Sequence, residues 1–148
     1  MGAMTNPRTT TLTRRVEWID TDASGHQHNS LIMRLVEAAE RRLIADAGVL
    51  GDYFWSAPRV RQEIDFTGKL YFDQEVSTTV TLTKLGRSSI TFTFEVWGEA
   101  HGETPRRCAA SGLVVAAHVP QGTDRATPWP DHIVAALATD AAPIPHPH

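Results

Sequence analysis

The stretch D-T-D-A-S-G-H-Q-H-N, residues 20–29, leads directly into residues 30–47, where apolar side chains recur at helical spacing. The apolar stripe consists of Ile32, Val36, Ala39, Leu43 and Ala47, widened by Leu31, Leu35 and Ala38. This spacing predicts one long amphipathic helix that is covered along one side. Asn29 or Ser30 can cap the start of the helix, and Gly48 can end it.

On either side of this helix, apolar and polar residues alternate with a period of two, which is typical of β-strands. The predicted strands are residues 11–20 before the helix and residues 59–66, 75–85, 90–96 and 107–119 after it. The second and third strands after the helix form a hairpin. The last run is almost entirely small and apolar, so it is either a central strand or a helix. The order predicts an α+β fold in which one antiparallel sheet wraps the helix.

Length and composition exclude several classes of protein. The chain has 148 residues, 41% of them hydrophobic, which suffices for one core and is too short for two. A formal net charge of −3 argues against nucleic acid as a partner, and no apolar stretch reaches the roughly 18 residues of a membrane span. The single cysteine, Cys108, excludes an internal disulfide and fits a cytoplasmic protein. Its small apolar neighbours predict a buried, inert thiol.

The chain divides into three predicted parts. Residues 1–10 form a flexible arm, residues 11–119 the compact domain, and residues 120–148 a tail that holds six of the nine prolines. Within the tail, residues 131–138 predict a short helix capped by Asp131, and residues 141–148 are predicted to be disordered.

Residues 20–29 also concentrate chemically active groups directly before the first N–H groups of a helix, which lack intrahelical partners. The sequence carries no motif typical of serine hydrolases, nucleotide-binding loops or dithiol redox sites. A carboxylate facing a helix start suits acyl transfer, because a thioester carbonyl between them would meet N–H donors while the carboxylate attacks or activates water. Alternatively, Asp20, Asp22 and Asn29 are turn and capping residues. A further alternative is a divalent metal site formed by Asp20, Asp22, His26 and His28, but such a site would need further ligands.

The same residues resemble a known family. The run D-T-D-A-S-G-H-Q-H-N followed by S-L-I-M-R-L-V-E-A-A-E is similar to the D-x-D-x-x-G-H-x-x-N-x-x-Y-x-x-x-x-E-x-A pattern of the 4-hydroxybenzoyl-CoA thioesterase family of hotdog-fold proteins. The likeness continues through I-D-F-T-G-K-L-Y-F-D-Q-E-V, residues 64–76. It implies a hotdog fold, in which a five-stranded antiparallel sheet wraps one long central helix. It also implies a homodimer or homotetramer with its active site at the dimer interface, acting on an acyl-CoA or acyl-carrier-protein thioester without metal or cofactor.

The resemblance further assigns roles to residues. Asp22 matches the family's catalytic carboxylate, a nucleophile or general base, and His26 is placed to orient Asp22 or the attacking water. The substrate-binding positions that it implies are Gly25 at the tight turn, Asn29, Ser30 and Leu31 at the helix start, Glu37 on the helix, and Arg87, Ser88 and Ser89 at a hairpin site for CoA phosphates. The sequence departs from the family pattern at Ile32, Lys69 and His28, where a tyrosine, a proline and an asparagine or aromatic residue are usual.

These observations together predict a thioesterase that hydrolyses an acyl-CoA or acyl-carrier-protein thioester. Tyr53, Phe54 and Trp55 are predicted to lie in a loop, where they either line an apolar acyl pocket or cap the core. Two other functions stay open: an enoyl-thioester hydratase or dehydratase with His26 and Asp22 as acid and base, and a non-catalytic binder of acyl thioesters.

Overall fold

One long helix and five strands form most of the fold. The computed structural model describes residues 7–138. Its elements are β1 (Thr9–Arg15), a 3₁₀ helix (Trp18–Asp20), α1 (Leu31–Asp46), α2 (Leu50–Phe54), β2 (Arg59–Phe66), β3 (Glu75–Leu85), β4 (Ser89–Gly98), β5 (Arg107–Ala117) and α3 (Asp131–Leu137). The predicted central helix and four later strands are present, and residues 107–117 form a strand rather than a helix.

The five strands form one antiparallel sheet in the order β1-β3-β4-β5-β2, so β1 and β2 are its edges. Alternate residues of β3 and β4 are buried, because one face of the sheet covers α1. The residues that α1 buries are Leu31, Ile32, Leu35, Val36, Ala39, Glu40, Leu43 and Ile44. This is the predicted α+β architecture, one long helix wrapped by a five-stranded antiparallel sheet.

The first predicted strand is placed wrongly at both ends. Thr9 and Thr10, assigned above to the arm, pair with β3, while residues 1–6 lie outside the described chain. The strand ends at Arg15, and Trp18–Asp20 form a 3₁₀ turn instead of a strand end. The physical reason is local: the Glu17 N–H donates to Asp20 Oδ2 at 2.8 Å, which closes a capping box around the turn.

The aromatic segment after α1 is helical and does not form the predicted loop. Residues Leu50–Phe54 make the short helix α2, and Tyr53 is fully buried. The Tyr53 hydroxyl donates to Glu40 Oε2 at 2.8 Å, and its ring stacks on Trp129 with centroids 5.8 Å apart. Trp55, in contrast, is 72% exposed. Tyr53 therefore caps the core, the second of the two interpretations above.

The segment after β5 returns to the sheet. The Trp129 ring is buried, and its Nε1–H donates to the Ser89 carbonyl at 3.1 Å. The predicted short helix is present as α3, which buries Ile133 and Leu137. Pro130 occupies its N-cap and Asp131 lies in its first turn, so the predicted Asp131 cap is wrong. Residues 139–148, including the predicted disordered end, lie outside the described chain. Cys108 is half-buried, less covered than predicted.

Candidate active site

The loop before α1 forms a tight turn that presents its side chains. The Asp22 N–H donates to the His26 carbonyl at 3.1 Å, and the Gly25 N–H donates to the Asp22 carbonyl at 3.0 Å. Gly25 has φ +86°, a left-handed conformation that glycine adopts without a Cβ penalty. Thr21 and Gln27 form an antiparallel bridge that closes the base of the turn. Gly25 therefore has the tight-turn conformation that the motif implied.

The carboxylate of Asp22 is exposed and kept ionised. Its Oδ1 accepts hydrogen bonds from the Ser24 hydroxyl and from the Ser24 N–H, the latter at 2.8 Å. These two bonds, with smaller contributions from His26 and His28, hold the pKa of Asp22 below its usual range. The group is thus an anion at neutral pH, as a general base or nucleophile must be.

The start of α1 is capped by an imidazole. The sequence predicted a cap from the Asn29 or Ser30 side chain, but neither side chain caps the helix. Instead, the Ser30 N–H donates to His28 Nδ1 at 3.1 Å. The Leu31 N–H donates to the His28 carbonyl at 3.0 Å. Within residues 7–138, the Asn29 N–H has no hydrogen-bond partner. Asn29 lines the cleft at this helix start, where backbone N–H groups lack intrahelical partners.

A second segment, residues 66–69, which begins at the last residue of β2, faces this loop across a cleft of about 510 Å³. The cleft is lined by Asp22, His26, Gln27, His28, Asn29, Phe66, Thr67, Gly68 and Lys69. Gln27 joins the two walls: its Nε2 donates to the Gly68 carbonyl at 3.2 Å, and its Oε1 accepts the Leu70 N–H at 2.7 Å. Since Gln27 is buried, this carboxamide fixes the width of the cleft.

His26 lines the cleft and has an unused ring atom. Its Nδ1 is buried and has no hydrogen-bond partner among the described residues. A buried polar atom without a partner is costly, so such an atom at a cleft is a point where a ligand or water can bind.

Asp20 lies beneath the loop and anchors it. Its side chain is 1% exposed, and its two oxygens accept hydrogen bonds from Arg14 at 2.8 Å and Arg34 at 3.1 Å. The Asp20 carbonyl accepts the His28 N–H at 2.7 Å. Burial alone would raise the pKa of Asp20, but the Arg14 guanidinium and the Glu17 N–H hold it below its usual range. Asp20 is therefore an ionised clamp that joins β1, the loop and α1.

Comparison with models of protein families identifies the family to which this chain belongs. The family model of the thioesterase-like superfamily matches residues 16–137. The chain belongs to the thioesterase-like superfamily. This match confirms the family resemblance drawn from the sequence.

Solved structures agree with this thioesterase-like assignment. The chain is similar to 4-hydroxybenzoyl CoA thioesterase from Pseudomonas sp. strain CBS-3, with a TM-score of 0.76 and 17% identity over 87% of this chain and 99% of that one. A predicted thioesterase from Bacillus stearothermophilus has a TM-score of 0.73 and 25% identity over 87% and 93%. A thioesterase from Thermus thermophilus, solved with coenzyme A and Zn, has a TM-score of 0.71 and 24% identity over 90% and 94%. A search of curated protein sequences gave no significant match. These structural matches show that the chain has the hotdog fold.

Several predicted site residues of this thioesterase-like chain lie outside the cleft. Leu31 is fully buried in the core, and Glu37 is exposed. Ser89 pairs with Ala117 of β5. Phe66, which lines the cleft, pairs with Ala110, seven residues earlier on the same strand. Seven residues of strand correspond to roughly 23 Å. The structure thus brings Asp22, Gly25, His26 and Asn29 together but leaves the hairpin residues Arg87, Ser88 and Ser89 at the far end of the sheet.

A buried glutamate was missed by the sequence analysis. Glu40 is 1% exposed and accepts hydrogen bonds from Tyr53 at 2.8 Å and from Arg59 at 2.6 Å. Its position, four residues after Val36 and three before Leu43 on the apolar stripe, is the signal that could have found it. Glu40 links α1, α2 and β2 in the core.

Neither a metal centre nor a membrane span is found in the described part of the chain. Within residues 7–138, no three or more His, Cys, Asp or Glu side chains are grouped so that they could hold a metal ion. The same residues contain no helix of the length and apolarity needed to cross a membrane.

Proposed function

We propose that the protein is an acyl-CoA thioesterase that hydrolyses a thioester to a free acid and a thiol. The observation that carries the proposal is the placement of the ionised Asp22 carboxylate and of Asn29, at the start of α1, on one cleft. Membership of the thioesterase-like superfamily supports the reaction class. An acyl-carrier-protein thioester, which has the same reacting bond, is the alternative substrate.

In this proposal the thioester carbonyl lies between Asp22 and the helix start. Its oxygen accepts a hydrogen bond from the Asn29 N–H, which stabilises the negative charge that develops there. In one route Asp22 removes a proton from water as the water oxygen bonds to the carbonyl carbon, the carbon–sulfur bond breaks, and the leaving thiolate takes up the proton held by Asp22. In the other route Asp22 itself attacks that carbon, the carbon–sulfur bond breaks and the thiolate takes a proton from solvent; water then hydrolyses the anhydride on Asp22, which releases the free acid and restores the carboxylate. No metal or organic cofactor enters these steps.

His26 is proposed as the residue that orients the attacking water. Its ring lines the cleft, and its buried Nδ1 has no partner within residues 7–138. A water or carboxylate held at that atom would satisfy it. This role leaves proton abstraction to Asp22.

We also propose that the working unit is a homodimer, alone or within a tetramer, with the cleft at its interface. Strand β2 is an edge of the sheet, and two of its apolar residues, Val60 and Phe66, are 61% and 53% exposed. Exposed strand edges with apolar residues favour pairing. Arg87, Ser88 and Ser89 are far from Asp22 in their own chain, so in this proposal they bind the CoA phosphates of a substrate on the neighbouring subunit. A cytoplasmic location fits a chain with a single cysteine.

The proposal is tested by measuring thiol release from a panel of short, long and aromatic acyl-CoA thioesters. Wild-type turnover on at least one thioester is the expected result. Water addition to crotonyl-CoA without release of thiol would instead indicate a hydratase, and saturable binding without turnover would indicate a binding protein. Sedimentation as a monomer at micromolar concentration would contradict the shared site.

A further inference from the structure

One cation, Lys69, lies on the wall of the cleft that faces Asp22, and a second, Arg107, lies behind that wall. Lys69 lines the cleft and is exposed. Arg107, at the start of β5, donates from Nη2 to the Lys69 carbonyl at 3.4 Å. Arg107 also lies directly behind Gly68, where an added Cβ would come within 3.2 Å of its Nε.

Neither cation forms an ion pair with a described residue of its own chain. Within residues 7–138, no carboxylate lies within 4 Å of Lys69 or Arg107, although five arginines there pair with carboxylates. The Nε atom of Arg107 is buried without a hydrogen-bond partner. Lys69 therefore offers the cleft a positive charge that has no ion-pair partner among the described residues, and Arg107 adds a second charge behind it.

The distance between this site and the reacting groups is fixed. Gln27 ties the Gly68 carbonyl and the Leu70 N–H, on either side of Lys69, to the loop that holds Asp22. Both walls border one cleft of about 510 Å³, so an anion that Lys69 binds within it shares this cleft with the thioester carbonyl of the proposed reaction. The phosphates of CoA are separated from that carbonyl by the whole pantetheine arm. An anion held at Lys69 therefore belongs to the acyl group.

Few large apolar side chains line the cleft. Phe66 is its one large apolar side chain, and the other contributors are polar or glycine. Tyr53, which the sequence offered as a pocket residue, is buried in the core.

We propose that the substrate carries a carboxylate on its acyl group and that Lys69 binds this carboxylate. This inference rests on the proposed thioesterase function and adds the substrate class: a monothioester of a dicarboxylic acid. Lys69 is then a specificity-determining residue, with Arg107 adding positive charge behind it. A charge-assisted hydrogen bond of this kind gives a preference of about 10- to 100-fold.

The experiment compares pairs of CoA thioesters of equal chain length with and without the terminal carboxylate, glutaryl with pentanoyl and malonyl with propionyl. kcat/KM is measured for wild type and Lys69→Met, and the chain's other lysine, the exposed Lys84, supplies the matched control Lys84→Met. The Kd of each thioester for the Asp22→Asn protein, with and without Lys69→Met, gives a readout that needs no turnover.

The proposal expects wild type and Lys84→Met to favour the carboxylate-bearing member of at least one pair, and Lys69→Met to lose this preference in both kcat/KM and Kd. Equal kcat/KM within every pair for wild type overturns it, as does an equal loss on both members in Lys69→Met. If wild type hydrolyses no thioester, the thioesterase proposal fails, and the Kd ratios still decide for or against the carboxylate site.

Discussion

Ser24 donates two hydrogen bonds to the same oxygen of Asp22, one from its hydroxyl and one from its backbone N–H at 2.8 Å. Both bonds stabilise the carboxylate over the carboxylic acid, and they are the largest causes of the lowered pKa of Asp22. The protonation state of the candidate catalytic group is therefore set by its neighbour two residues away.

Replacing this hydroxyl is expected to move the pH dependence of the reaction. Ser24→Ala removes one of the two bonds, so the pKa of Asp22 rises and the acid limb of the kcat/KM profile shifts to higher pH. Ser24→Thr keeps a hydroxyl and serves as the control. An acid limb at the same pH in Ser24→Ala and wild type would mean that another group titrates there.

The Asp20 clamp makes a separate prediction about stability. Removing its charge with Asp20→Asn weakens the bonds from Arg14 and Arg34, and the expected loss is about 2–3 kcal/mol in the free energy of unfolding. Because the folded-state pKa of Asp20 lies below its usual 3.8, its contribution is present above that pH and is lost as the pH falls through the folded value. Urea unfolding at several pH values should show a shallower acid dependence for the variant. An unchanged slope between pH 5 and pH 3 would contradict this role.

Gln27 and Gln74 allow a matched test of cleft width. Both are buried carboxamides with hydrogen bonds to backbone groups, but Gln27 alone of the two lines the cleft. Gln27→Met and Gln74→Met should each destabilise the fold by about 1–3 kcal/mol, since both leave buried groups unpaired. Only Gln27→Met is expected to lower kcat as well, by roughly tenfold, since misplaced walls disturb the reacting geometry. Equal kcat values in the two variants would remove Gln27 from the site.

Tyr53 distinguishes a core residue from a pocket residue. Tyr53→Phe removes the hydroxyl that donates to buried Glu40, so the expected cost is about 1–2 kcal/mol in the free energy of unfolding. KM for acyl-CoA should not change, because the ring lies between α1 and Trp129 and not in the cleft. A large change in KM with unchanged stability would return Tyr53 to the acyl pocket.

The elements with long periodic patterns were predictable from sequence. Helix α1 and the β3–β4 hairpin each repeat their apolar spacing over ten or more residues, and the structure has them close to the predicted bounds. The wrong predictions of secondary structure lie where short-range hydrogen bonds determine the local conformation. The Glu17–Asp20 capping box turns the expected end of β1 into a 3₁₀ helix, and α2 has five residues, too few to show a period.

Only the part of the candidate site that comes from one continuous stretch of sequence was predictable. Asp22, Gly25, His26 and Asn29 are neighbours in sequence, so one motif found them all. The facing wall at residues 66–69 lies about forty residues later, and the pattern of strand β2 carries no information on what it approaches. The sequence left open whether Tyr53 lines a pocket or caps the core, because its core role depends on contacts with Glu40 and Trp129.

The proposed role of Asp22 in the chemistry is tested by thiol release in Asp22→Asn beside the control Asp124→Asn, an exposed aspartate in the segment between β5 and α3 and outside the cleft. Because Asp22 is exposed, both variants should fold like wild type. Asp22→Asn should lose about 10²- to 10⁴-fold in kcat on the best acyl-CoA substrate, whereas Asp124→Asn should keep the wild-type rate. Wild-type thiol release by a folded Asp22→Asn protein would contradict it.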